Sequence, residues 1–228
     1  MITLFNDFYS NHSLHLQEKA NFTNEEHLDV EGRKMMIFES CWNNSFFTSK
    51  DNQSVRPYLE NIGNLIGETV ITSHRFINSK DDLIYFIKDP GIIWDNPVFK
   101  SVSVWYFGSH GSQRGLELQR DVLTKEDLLE ICNEKFCGFP NILYFSSCSL
   151  FQNDDKFGVE LLKKSGTRGV IGFKKKVEIS LGTIIDLLFL TSFFKYGGVV
   201  PFKDIESIYD SIHKEFLVAK EMGLTLYC

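Results

Sequence analysis

From Lys34 onward, apolar runs of strand length alternate with amphipathic segments of helical length, and this rhythm leaves few possible architectures. Runs that are apolar at successive positions, rather than at every second one, belong to strands covered on both faces. With helices between them, such strands build a mainly parallel sheet sandwiched by two helical layers. The runs are Met35 to Phe38, Thr69 to Ile77, Val102 to Phe107, Ile142 to Phe145 and Gly169 to Phe173. Apolar positions 55, 59, 62 and 66 predict a helix over 55–66, and further helices are expected over 79–88, 124–136, 156–164, 181–194 and 204–221. Ser79 and Thr124 stand at helix starts, and Asp81 and Asp82 fall in a first turn, where the helix dipole favours negative charge. A short hairpin strand around 116–119 and an edge strand over 224–227 complete the pattern. The expected fold is α/β, a three-layer α-β-α sandwich with a mainly parallel sheet over 34–228. Residues 1–33, polar and weakly periodic, read as an N-terminal arm or cap.

A chain of 228 residues should bury roughly 70% of its unfolded surface, so the fold needs no disulfide or structural metal. The net charge is −6 and the strongest basic run is Lys174-Lys175-Lys176, which argues against binding to a phosphate backbone. The five cysteines (41, 132, 137, 148 and 228) are odd in number and form no C-x-x-C pair, so neither a disulfide framework nor a zinc ribbon is indicated. No basic segment followed by an apolar stretch opens the chain. The most apolar segment, 179–194, contains Asp186 and falls short of the ~20 residues of a membrane span. A soluble, reduced, cytoplasmic protein with neither nucleic-acid nor membrane partner is expected.

In an open parallel sheet, reactive groups collect beyond the carboxyl ends of the strands, near the point where strand order reverses. Two apolar runs here end in small polar residues: Gly108-Ser109-His110-Gly111 and Ser146-Ser147-Cys148-Ser149. If the two strands are parallel neighbours, His110 and Cys148 project from one rim. A thiolate attacks a carbonyl carbon while an imidazole moves the proton, so this is a nucleophile–base pair. Gly111 allows close backbone approach, and its amide, with that of Cys148, is a candidate oxyanion donor.

These two segments, with their strands Trp105-Tyr106-Phe107 and Tyr144-Phe145, resemble the motifs of the caspase-like cysteine peptidases, most closely the bacterial CHAT-type domains. Residues 165–172 are similar to the turn and strand after the catalytic cysteine in that branch. The resemblance spans about 34–194. It implies His110 as general acid/base, Cys148 as nucleophile, Gly111 and Cys148 as oxyanion donors, and a protein or peptide substrate with no metal or organic cofactor. The caspase signature Gln-Ala-Cys-Arg/Gln/Gly-Gly is replaced by Ser146-Ser147-Cys148-Ser149-Leu150, so cleavage after Asp does not follow. Asp154 and Asp155 are the nearest acidic candidates for a substrate pocket, and Trp42, after the first strand, is either a pocket wall or a packing aromatic. The alternative is a catalytically silent or partner-activated caspase-like module in a bacterial defence or signalling pathway. No Walker A, G-x-G-x-x-G or H-E-x-x-H motif occurs.

Overall fold

The computed structural model describes residues 33–40, 54–88, 102–133, 140–196 and 202–228. The arm or cap expected over 1–33 lies, apart from Arg33, outside the described residues, as do Cys41, Trp42 and Cys137.

Among the described residues, six strands form the central sheet: β1 (Lys34–Glu39), β2 (Ile71–Phe76), β3 (Val104–Gly108), β7 (Ile142–Ser146), β8 (Gly169–Phe173) and β9 (Leu224–Tyr227). Their order is β2-β1-β3-β7-β8-β9, parallel throughout except for β9, which runs antiparallel to β8 at the edge. Every residue of β1, β3, β7 and β8 is buried, as their unbroken apolar runs require. A smaller antiparallel sheet consists of β4 (His110–Ser112), β5 (Gly115–Glu117) and β6 (Val122–Thr124). The sequence pattern shows only the middle of these strands; β4 and β6 are too short to carry a periodicity of their own.

Eight helices are described: α1 (Arg56–Glu60), α2 (Ile62–Ile66), α3 (Lys80–Lys88), α4 (Lys125–Asn133), α5 (Asp155–Ser165), α6 (Ile179–Lys195), α7 (Phe202–Glu215) and α8 (Leu217–Glu221). The helix expected over 55–66 is interrupted at Asn61, whose amide bonds back to Tyr58 in a tightened turn, yet Leu59 and Ile62 still face the core. The helix expected over 204–221 breaks at Phe216, where the backbone is extended. Two helix starts are closed by reciprocal caps: Ser79 Oγ accepts the Asp82 amide while Asp82 accepts the Ser79 amide, and Thr124 and Asp127 repeat the exchange.

Two cores lie on opposite faces of the sheet. One joins Met35, Ile37, Tyr106 and Tyr144 to α1, α2, α6, α7 and α8; the other joins Met36, Phe38, Trp105, Phe107 and Phe145 to α3, α4 and α5. Because α6 has neighbours on both sides, it is apolar nearly all round. Among the described residues no helix is long and apolar enough to cross a membrane.

Register is pinned by aromatic pairs across adjacent strands. Phe38 stacks on Phe107, and Phe107 on Phe145, with centroids 5.3 and 4.8 Å apart; on the opposite face Tyr106 stacks on Tyr144 at 5.6 Å. Consequently Gly108 at the end of β3 is level with Ser146 at the end of β7. Strand order reverses between β1 and β3, so the crevice of the sheet opens beside this pair of ends.

On β8, Gly172 lies under the ring of Phe151, in the turn that follows β7; a methyl group there would overlap the ring and approach Phe145 O to 3.1 Å. Gly172→Ala is expected to lower unfolding free energy by about 1–3 kcal/mol through overpacking. A urea midpoint unchanged from wild type would show that the turn adjusts freely.

Candidate active site

Beyond the level ends of β3 and β7, the chain places Ser109 beside Ser147, with their buried hydroxyls 3.3 Å apart. One residue further, Gly111 packs directly on the second motif. A Cβ at Gly111 would sit 2.5 Å from Cys148 O, 2.8 Å from Ser147 Cβ and 3.0 Å from Cys148 N. Only glycine permits that approach, because real Cβ contacts are not this short. The structure therefore brings the two motifs together. His110 is exposed on β4, and Cys148 is half-buried in the turn after β7.

The Cys148 turn is held in a constrained shape. Ser149 adopts φ 56°, a left-handed conformation uncommon for any residue but glycine, and Asn153 follows at φ 54°. Such positions persist when surrounding bonds over-determine them. Here the Ser149 amide donates to Lys175 O at 3.0 Å and the Phe151 amide to Phe173 O at 3.3 Å. The Cys148 sulfur accepts a hydrogen bond from the Val177 amide (3.3 Å) and donates to the Val177 carbonyl (3.5 Å). The Cys148 amide donates no hydrogen bond among the described residues.

Underneath lies a fully buried carboxylate. Asp186 on α6 accepts hydrogen bonds from Tyr106 Oη (2.7 Å), Tyr144 Oη (2.8 Å) and Ser146 Oγ (2.6 Å). Three hydroxyl donors offset part of the cost of desolvation, but among the described residues no cation pairs with the group, and burial pushes its pKa up to about 6. Burial, reinforced by the Asp186 charge, likewise raises both tyrosines well above their usual value, so they stay protonated as donors. Asp186 thus fixes Ser146, two residues before Cys148, to the helix below.

A second buried carboxylate anchors the neighbouring strand end. Glu39, the last residue of β1, accepts from Ser54 Oγ (2.7 Å), the Val55 amide (2.9 Å) and His74 Nε2 (2.8 Å). This ties the start of α1 to the sheet. A narrow cleft then opens beside the thiol, lined by Val55, Ser146, Cys148, Val177, Gly182 and Thr183, among others.

The acidic pocket candidates have other engagements. Asp154 caps α5 by accepting the Phe157 amide and pairs with Lys125 at 2.8 Å; that hydrogen bond holds its carboxyl below the usual range. Asp155 is drawn down likewise by Lys174 at 2.6 Å and also accepts from Tyr227 Oη. Neither lines the cleft beside Cys148. The third candidate, Trp42, lies outside the described residues. Cys132 is buried against α4's partners and burial pushes its thiol up to about 12. Among the described residues no cluster of His, Cys, Asp or Glu could hold a metal ion.

Sequence reading missed Asp186, Glu39 and His74. Asp186 had a signal, being the single charged residue within an apolar helical run. Glu39 and His74 had none, because a carboxylate at a strand end is ordinarily solvated. No family model matches the chain, and no curated protein is similar to it.

Two outcomes follow for this region. Gly111→Ala should separate the motifs, because backbone rather than a flexible side chain blocks the added methyl; crystallography or alkylation kinetics at Cys148 would register the displacement, and unchanged kinetics would contradict it. For Asp186, the folded-state pKa of about 6 lies above the ordinary 3.8, so the folded protein binds more protons between these values. Stability should therefore be greatest below pH 4 as far as this group is concerned, and decline by roughly 3 kcal/mol as pH rises through 6. Asp186→Asn should abolish that decline, as read from urea unfolding at pH 4, 5, 6 and 7.

Proposed function

We propose that the protein is a caspase-like cysteine endopeptidase with a Cys148–His110 pair, working in a reducing compartment such as the cytoplasm. The observation that supports this reading most is the seat of Gly111 on the Cys148 backbone, which joins the histidine-bearing and cysteine-bearing strand ends at a sheet crevice. In the reaction, His110 accepts the thiol proton and Cys148 Sγ forms a bond to the peptide carbonyl carbon. The amides of Gly111 and Cys148 receive the developing oxyanion. The C–N bond then breaks, its amine leaving with the proton from His110, and a thioester remains on Cys148. Water, deprotonated by His110, adds to the thioester and releases the acid and the free thiol.

A second reading has one specific observation in its favour: the thiol already makes two hydrogen bonds to Val177. In this partner-activated form, a bound protein must shift the 174–178 segment before Cys148 can attack.

Incubation with a diverse peptide pool, followed by mass spectrometry, tests both. The peptidase reading expects cleavage that falls at least about a thousandfold in Cys148→Ala and about a hundredfold in His110→Ala. Cleavage retained by Cys148→Ala refutes it. Cleavage only after addition of a co-purifying protein supports the partner-activated form.

A further inference from the structure

Next to the narrow cleft beside Cys148 lies a wider groove of about 480 Å³ between the start of α1 and the first turns of α6. The two share Val55, Ile179 and Thr183 as walls, so the groove adjoins the cleft that holds the thiol. Residues 180, 183, 184 and 187 recur at helical spacing and present one stripe of α6 to the groove, opposite Pro57 and Tyr58. Tyr58 and Ile184 remain 57% and 38% exposed, large for side chains of this type beside a concave surface.

The chemistry of the lining is uniform. Among the described residues that line either part, none is Asp, Glu, Lys, Arg or His, and the polar groups are hydroxyls together with the thiol. The Thr183 hydroxyl is already engaged by the Ile179 carbonyl at 2.9 Å. A charged side chain entering here would lose water without gaining an opposite charge, whereas an apolar one would gain contact area. Asp154, Asp155 and Glu39 are paired with Lys125, Lys174 and His74, and Lys176 and Glu178, which flank Val177, are exposed and lie outside the lining. Glu39 also fixes Ser54 and Val55, so this wall is held in place before any ligand arrives.

Resting on the peptidase reading, we propose that this groove selects the substrate, and that the substrate is a peptide carrying a neutral, apolar side chain next to the scissile carbonyl.

The groove can be read without any peptide cleavage. Three iodoacetamides with a benzyl, a carboxyethyl and an ammonioethyl tail are applied to the native protein. Alkylation at Cys148 is followed by peptide mapping, and each rate is divided by that reagent's rate with glutathione. The benzyl reagent is expected to lead both charged reagents by about tenfold or more. Thr183→Asp should shift the preference towards the ammonium tail, and Ile184→Lys towards the carboxylate tail. Equal rates, a lead for either charged tail, or indifference to both substitutions overturns the proposal. So does a thiol that none of the reagents reaches in the native protein but all reach after unfolding. A benzyl preference in a protein that cleaves no peptide would discard the peptidase reading and leave the groove as a site for apolar ligands.

Discussion

Much of this molecule depends on two parallel strands stopping at the same height. The stacking of Phe107 on Phe145 and of Tyr106 on Tyr144 locks β3 to β7 from both faces of the sheet. Slipping the register by one residue would move each aromatic to the wrong side, so the alignment is strongly specified. Because it is, the residues that follow each strand leave the sheet together. Ser109 meets Ser147 and Gly111 meets Cys148, and the bonds of the Cys148 turn to Lys175 O and Phe173 O hold the second motif in place.

Around this alignment the protein spends polar groups in places where apolar ones would be cheaper. Asp186 and Glu39 are both buried, one in α6 and one at the end of β1, and each gathers three hydrogen-bond donors. Such networks are costly when incomplete and rigid when satisfied. Their positions are informative: Asp186 holds the approach to Cys148 from below, and Glu39 holds the wall of the adjoining groove. Asp154 and Asp155, by contrast, serve to start α5 and to fasten it to Lys125 and Lys174.

The layered α/β architecture was legible because buried parallel strands and amphipathic helices have different periods. The strand runs at 35–38, 142–145 and 169–173, and the edge strand at 224–227, lie within or coincide with observed strands. What was not legible has physical causes. Helix breaks at Asn61 and Phe216 preserve the apolar face, so periodicity passes through them unaltered. β4 and β6 are three residues each, too short to repeat anything. For the site, the two motifs and their meeting could be anticipated from strand context. The groove could not, since it is composed of residues from α1 and α6 that lie far apart in sequence and that look individually like core or surface.

The strands that carry the site are partners only across long stretches of chain: β3 and β7 pair residues such as Gly108 and Ser146, and β1 pairs with β3 from still further away. Closing such loops must precede any reward from contact, which slows the formation of a sheet of this topology. Until it forms, Cys148 is an ordinary solvated thiol, with neither Gly111 against its backbone nor Val177 at its sulfur. During synthesis and refolding this cysteine is therefore open to oxidation and to mixed disulfides. The same residue is partly shielded once the chain is folded, so its exposure to such chemistry is greatest before the sheet has formed.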